Sequence, residues 1–337
     1  MSDKLNILFT CAGRRTYLLK YFKEQLADKG LIIATDMSIS APALTVADVK
    51  IQVPSVYDPM YIDKILQICK EYSVRAVICL NDLELPIIAA NKKKFEDLGV
   101  VAIVADSSVI EMCFDKYQTA KFIESIGLRS PKTYVNYKQA ISAIQQGDLQ
   151  FPLVLKPRWG SGSIGIEFVN SLQDLKETYD ILNKKIKKTI LSKVSEGSEV
   201  ILIQEMIEGQ EYGVDIMNDL NGKNRGVSVK KKIAMRAGET DKAQTTDNSD
   251  IRRIGKILGE KLKHIGNLDA DIFERDGQYF ILELNPRFGG GFPFSYEAGV
   301  NFPKAIIAWL ENKDVNDAIL VPRYGLTFAK CDYLVSV

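Results

Sequence analysis

Residues 279–291 read Tyr279-Phe280-Ile281-Leu282-Glu283-Leu284-Asn285-Pro286-Arg287-Phe288-Gly289-Gly290-Gly291. Tyr279–Leu284 reads as a strand, Asp276-Gly277 before it as a tight turn, and Leu268–Phe273 as the preceding strand of a hairpin. Glu283 and Asn285 are two positions apart, so both project from one face. The partner strand brings Asp271 beside them. Two carboxylates and an amide oxygen on one sheet face suit a hard divalent cation that keeps several waters and takes phosphate oxygens. For Glu283-x-Asn285 taken alone, a strand ending in a polar turn explains the pattern equally well.

The chain of 337 residues exceeds one ordinary core, so two or three packed units are expected. Its 46% apolar and 26% charged content describes a soluble globular protein. Lysine and arginine total 44 against 43 aspartate and glutamate, a balance that supplies no field for nucleic acid or an anionic membrane. Met1-Ser2-Asp3-Lys4 runs into a short strand without a signal-peptide pattern, and no apolar run is long enough to span a bilayer, so a cytoplasmic protein is expected. The five cysteines include no Cys-x-x-Cys and read as reduced thiols, mostly core fillers. The one histidine, His264, ends a helical stripe of Ile254, Leu258, Leu262 and Ile265 within Ile251–Ile265, and a surface helix position is expected for it. Ser-His-Asp, Cys-His and His-based zinc chemistries need histidines that the chain lacks, apart from this one.

The first 110 residues alternate short apolar runs (Leu5–Phe9, Leu31–Ala34, Arg75–Leu80, Val100–Val104) with helical patterns (Tyr17–Leu26, Tyr61–Glu71, Glu84–Phe95). That alternation predicts a parallel sheet covered by helices, with ligand-facing residues at strand ends. The first turn, Thr10-Cys11-Ala12-Gly13-Arg14-Arg15, misses the dinucleotide fingerprint. A second unit starts near Glu111, with Asp115 opening a helix that Gly127 stops. Strands follow at Thr133–Val135 and Phe151–Lys156. Ser171 and Asp174 then resemble a capping box for a helix carrying Leu172, Leu175, Tyr179, Leu182, Ile186 and Ile190. Lys184, Lys185, Lys187 and Lys188 on that helix read as a solvated face. The last stretch is strand-rich: Val200–Gln204, Glu211–Met217, Gly226–Ile233 and the hairpin quoted above. Such an order predicts α+β lobes attached to the α/β unit.

Gly160-Ser161-Gly162-Ser163-Ile164-Gly165 matches Gly-x-Gly-x-x-Gly, yet strands stand on both sides of it, Phe151–Lys156 before and Ile166–Val169 after. A strand–loop–strand glycine flap lays backbone N–H groups over phosphates, and Lys156 at its entry supplies a point charge. No Walker sequence and no His-Arg-Asp or Asp-Phe-Gly occurs.

Lys116, Lys156 before the flap, Gln204-Glu205-Met206-Ile207-Glu208-Gly209-Gln210-Glu211, Asp271 and Glu283-x-Asn285 together resemble the ATP-grasp superfamily. The carbamoyl-phosphate-synthase-like branch, whose metal strand ends in Glu-x-Asn-Pro-Arg, is the nearest flavour. The resemblance implies a parallel-sheet pre-ATP-grasp domain over 1–110 and an ATP-grasp domain over 111–312 with a mobile lid at about 132–203. Residues 313–337 become a C-terminal extension packed on the core. It implies that Lys116 and Lys156 contact nucleotide phosphates under a flap of Gly160, Ser161, Gly162, Ser163 and Gly165. Gln204 meets the adenine amino group in place of the usual Glu, and the Glu205-Met206-Ile207 backbone reads the adenine edge. Glu211 holds the ribose hydroxyls, and Asp271, Glu283 and Asn285 bind Mg²⁺ (or Mn²⁺).

Members phosphorylate a carboxylate with ATP, and an amine or ammonia attacks the acyl phosphate. Charge neutralisation and positioning serve this chemistry without a histidine base. Arg287 is placed to meet the acyl phosphate or carboxylate with two parallel donors, and Arg236, before Gly238, is a second candidate; a plain loop competes for it. The small-molecule carboxylate and amine are expected to be read by Arg14, Arg15, Asp82, Glu84, Arg236 and Arg287. Two alternatives stay open: carbamate or carboxylate phosphorylation without ligation, and a nucleotide-binding regulatory module. The resemblance favours a homodimer. Ammonia drawn from glutamine would need a separate glutaminase.

Overall fold

The computed structural model describes residues 4–160, 165–186 and 199–337; Met1, Ser2, Asp3, Ser161, Gly162, Ser163, Ile164, Lys187, Lys188 and Ile190, named above, lie outside them. The first unit runs β1 (Asn6–Thr10), α1 (Thr16–Leu26), β2 (Ile32–Asp36), β3 (Val49–Gln52), α2 (Tyr61–Glu71), β4 (Val74–Cys79), α3 (Leu85–Ala90), α4 (Lys92–Glu96) and β5 (Val101–Ile103). Its strands form a wholly parallel sheet in the order β3-β2-β1-β4-β5. Both faces are covered, as parallel sheets require: Ile7 and Phe9 pack on the α1 side, while Leu8 packs with Ile65 and Ile68 of α2. The expected Glu84–Phe95 helix is two helices, broken at Asn91. Val49–Gln52, too short and polar to stand out, adds the outer strand.

α5 (Ser107–Phe114) and α6 (Lys116–Ser125) lead into a four-stranded sheet, ordered β6-β9-β7-β8, of β6 (Thr133–Tyr134), β7 (Leu153–Pro157), β8 (Glu167–Val169) and β9 (Ile201–Glu205), with α7 (Tyr137–Gln145) and α8 (Leu172–Ile186) in the same unit. β7 and β8 are antiparallel neighbours, so the glycine segment between them does join two strands. Ser171 Oγ accepts from Asp174 N at 3.1 Å, as the capping pattern predicts.

The third sheet contains β10 (Gln210–Asn218), β11 (Asn224–Arg236), β12 (Glu239–Thr245), β13 (Gly266–Arg275), β14 (Gln278–Asn285) and β15 (Thr327–Ala329), ordered β14-β13-β10-β11-β12-β15 and antiparallel throughout. One face is apolar: Tyr212, Val214, Ile216, Val229, Leu268, Ala270 and Ile272 pack with Ile251, Ile254, Leu258 and Leu262 of α9 (Ser249–Leu262). α10 (Phe292–Glu297) and α11 (Phe302–Leu310) return to the first unit, where Phe292 and Phe302 join the core beside α1. No helix among the described residues is long and apolar enough to cross a membrane.

His264 is not on a helix surface. α9 closes at Lys263 in the left-handed conformation, and the chain turns inward. The imidazole is fully buried, with Nε2 against the Ile216 carbonyl at 3.0 Å and Nδ1 against Asn218 Nδ2 at 3.4 Å. Burial drives its pKa down to about 4, opposed by the bond to Ile216, so the ring is neutral.

Candidate active site

The β13–β14 hairpin forms as expected, with Asp276 and Gly277 both at positive φ in the two-residue turn. Asp271 lies directly opposite Glu283 and Asp269 opposite Asn285, and a register shift follows on the turn side of the Asp271 pair. The rows continue across the sheet. Asp269 faces Asp215 on β10, which faces Ser228 on β11; Asp271 faces Gly213, which faces Lys230. One row further, Glu211 lies beside Lys232, whose Nζ donates to Glu211 Oε1 at 2.7 Å and to Asp271 Oδ1 at 2.6 Å. Opposite the apolar face, the sheet thus presents rows of carboxylates and amines. Their spacing is legible in Glu211-x-Gly213-x-Asp215, Ser228-x-Lys230-x-Lys232, Asp269-x-Asp271 and Glu283-x-Asn285.

Every carboxylate of this face has a cation beside it. Lys230 Nζ donates to Asp215 and to Ser295 Oγ (3.2 Å), with Asn267 Nδ2 on the other Asp215 oxygen at 3.1 Å. Lys116 Nζ stands 3.7 Å from Glu283 Oε1 and also donates to the Gly160 carbonyl. Burial raises the pKa values of Asp271 and Glu211, and the Lys232 ammonium opposes both shifts. Lys232, Lys230, Asp215 and Asp269 were not singled out from sequence; only the strand pairing puts Lys230 and Lys232 on the carboxylate face.

Arg287 is 9% exposed and doubly held. Nε and Nη2 donate to the two Asp82 oxygens at 2.9 and 3.1 Å, and Nη1 donates to Asp269 Oδ2 at 3.1 Å. Its fork therefore joins the loop after β4 of the first unit to the third sheet. The next residue anchors it: Phe288 packs in edge or tilted contact with Phe22, Phe292 and Phe302. The glycines that follow clear charged neighbours. A Cβ on Gly289 would fall inside the Asp269 carboxyl, and one on Gly290 would approach the Glu239 carboxyl carbon to 3.1 Å.

Lys116 and Lys156 arrive together. Asp115 caps α6 by accepting from Tyr117 N and Gln118 N, and Arg158, two residues beyond Lys156, grips the same carboxylate at 2.8 and 2.7 Å. Lys156 is buried on β7. Burial drives its pKa down to about 8, with the Lys116 ammonium adding to the shift and Glu283 opposing it. Gln204 is buried on β9, its Nε2 donating to Thr133 Oγ1 at 2.7 Å. The Glu205 backbone N–H is taken by the Lys132 carbonyl at 2.9 Å, and its carboxylate by Arg275 at 2.8 Å. Ile207 is buried and Met206 half-buried beside it.

Other expected residues lie apart. Arg236, half exposed at the end of β11, pairs with Asp241 at 2.9 Å and Asp332 at 2.5 Å. Arg14 is exposed, 3.7 Å from the same Asp332, and Arg15 donates to Tyr17 OH at 3.2 Å. Glu84 is sealed beneath the first sheet's strand ends, accepting from Thr10 Oγ1 (2.8 Å), Tyr61 OH (2.6 Å) and Cys79 Sγ (3.1 Å).

Among the described residues, no three His, Cys, Asp or Glu side chains form a ready-made metal cage. Asp271, Glu283 and Asn285 instead make a set of two acids and one amide. That set fits a Mg²⁺-type ion held largely through water and phosphate oxygens.

A parallel α/β unit, a strand–glycine segment–strand with an entry lysine, and an acid-amide hairpin are the parts that suit a nucleotide-phosphate site. Residues 149–293 match the family model of the ATP-grasp domain, and residues 7–103 that of the PylC-like N-terminal domain. Over residues 149–293 the chain is thus similar to the ATP-grasp domain, behind a stretch similar to the PylC-like N-terminal domain.

Among curated relatives, the carbamoyl phosphate synthase large chain of Neisseria meningitidis serogroup B is 22% identical over 250 residues, covering 72% of this chain and 22% of that protein. The carbamoyl-phosphate synthase of Methanobrevibacter smithii is 26% identical over 239 residues, 69% of this chain and 62% of that one. This chain thus spans about a fifth of the large chain's length. Among solved structures, the biotin carboxylase domain dimer of Hydrogenobacter thermophilus 2-oxoglutarate carboxylase, complexed with MgADP, ADP and bicarbonate, superposes with TM-score 0.73 at 15% identity, over 96% of this chain and 73% of that one. The L-amino acid ligase of Bacillus licheniformis gives 0.68 at 17%, over 96% and 78%.

Proposed function

We propose that this protein is an ATP- and Mg²⁺-dependent ligase that activates a carboxylate as its acyl phosphate for attack by an amine or ammonia. The observation that carries it is Asp271, Glu283 and Asn285 on one sheet face, with Lys116 beside Glu283 and Lys156 close by. The relatives support the same class: a carbamoyl phosphate synthase, a biotin carboxylase domain bound to MgADP and an amino acid ligase.

Lys116 and Lys156 receive the phosphates. Gln204 accepts from the adenine amino group, the Glu205-Met206-Ile207 segment borders the ring, and Glu211 takes the ribose hydroxyls. Asp271, Glu283 and Asn285 would hold a divalent cation, which would supply charge neutralisation at the nucleotide phosphates. The γ-phosphoryl passes from ATP to a carboxylate oxygen, releasing ADP. The amine nitrogen then attacks the acyl carbon, inorganic phosphate leaves, and the nitrogen loses a proton. Arg287 turns part of its fork from Asp82 toward the acyl phosphate and orients the acceptor carboxylate. Arg236 binds the far end of a substrate if the Asp332 pair opens. A homodimer is the proposed assembly.

Phosphate release from Mg-ATP, scanned over pooled amino acids and small carboxylic acids with hydroxylamine as trap, tests this. A hydroxamate from one pool supports acyl-phosphate chemistry and identifies the carboxylate. Bound ATP with phosphate release but no hydroxamate from any pool counts against it.

A further inference from the structure

The two lysines of β11 that face the site hold different kinds of partner. Lys230 is sealed in: Asp215 is fully buried and is also bound by Ser295 and Asn267. Lys232 stands one row nearer the opening. Its side chain is 7% exposed, whereas its partners Glu211 and Asp271 are 23% and 22% exposed. Gly213 gives it room, since a Cβ at that position would press on Lys232 Cε at 3.3 Å. Asp271 is therefore claimed twice, by the Lys232 ammonium and by the proposed cation set, and Glu211 by the ammonium and the proposed ribose contact.

We infer that Lys232 is the resident cation of this site. It holds Glu211 and Asp271 in place and keeps a lone divalent ion out, so that metal enters only with the nucleotide, whose phosphates draw the ammonium away. This rests on the proposed ATP site. A divalent ion on Asp271 meets a positive charge already hydrogen-bonded to the same carboxylate, and the two repel strongly at that range. A lysine suits the exchange because its compact charge sits on a flexible stem that reaches new acceptors without backbone movement. Arg287 does not compete for Asp271, since its guanidinium donates to Asp82 and Asp269 instead.

The test is Mn²⁺ binding to the full chain, read by electron paramagnetic resonance, with Mn²⁺ alone and with ADP. Wild type should bind Mn²⁺ weakly alone and much more tightly with ADP. Lys232→Met should tighten binding of Mn²⁺ alone at least tenfold, Lys232→Arg should leave it weak, and adding Asp271→Asn to Lys232→Met should remove the gain. Unchanged or weaker binding of Mn²⁺ alone by Lys232→Met, with normal Mn²⁺–ADP binding by wild type, overturns this inference and leaves the ATP site standing. Failure of wild type to bind Mn²⁺–ADP overturns both. Should Lys232→Met misfold, Lys232→Met/Glu211→Gln loses one charge of each sign and must show the same gain.

Discussion

The first and third sheets each bury carboxylates near their ligand-facing ends, and they do it by opposite means. Under the parallel sheet, Glu84 accepts from a hydroxyl, a phenol and a thiol, all neutral, and burial raises its pKa despite them. On the antiparallel sheet, Asp215, Asp269, Asp271, Glu211 and Glu283 each lie beside a lysine or arginine. Neutral donors fix a carboxylate and leave nothing to exchange. Cations can be traded for metal and phosphate, so the proposed chemistry sits with the second arrangement. The sheet type permits this: a parallel sheet is covered on both faces, whereas an antiparallel one can pack α9 on one face and give the other to charge.

Arg287→Ala should break the contrast most severely. Turnover should fall by about a thousandfold or more, the scale of losing one donor aimed at developing charge, while ADP affinity stays nearly intact. Stability should drop by about 3 kcal/mol because Asp82 and Asp269 lose their largely buried partner. Titration calorimetry and urea unfolding read both; a collapse of ADP binding would contradict the position assigned to Arg287. Asp271→Asn comes next, with Mg-ADP affinity falling about thirtyfold (about 2 kcal/mol) and metal-free ADP much less. Equal losses would remove Asp271 from the metal set.

Lys156 sharpens the comparison through pH. Its folded pKa of about 8 lies below the ordinary lysine value, so the ammonium proposed to meet phosphate is lost as pH rises through 8. ADP affinity should be flat from pH 6 to 7.5 and weaken by up to about tenfold by pH 9. Lys156→Arg, charged throughout, should show no such slope, and a slope kept in that variant would assign it to another group. The smallest effect is expected for Glu84→Gln: about 1–2 kcal/mol of stability from one mismatched donor, with Mg-ADP affinity unchanged. Weakened nucleotide binding there would blur the division between the two sheets.

Much of this was legible in the sequence, and the residues show where legibility ends. Glu283-x-Asn285 with Asp271 gave the hairpin, because period-two spacing and an Asp-Gly turn are local signals. Lys156 before a glycine segment gave the strand–loop–strand for the same reason. Lys232 and Lys230 escaped because their meaning comes from register across β10 and β11, not from their own neighbours. The Arg287–Asp82 clamp joins positions 205 apart, a pairing no local pattern encodes. His264 was misplaced because the helical stripe ran on in sequence after Lys263 had turned the backbone left-handed.

Positional isotope exchange tests the central claim most directly. With ATP labelled by ¹⁸O in its β,γ-bridge, Mg²⁺ and the pooled carboxylates but no amine, wild type should scramble the label into non-bridging positions with one pool. That scrambling requires the γ-phosphoryl group to leave ADP and return. Asp271→Asn should not scramble it. Bound ATP whose label stays in the bridge with every carboxylate pool would contradict carboxylate activation and favour a protein that binds nucleotide without transferring phosphate.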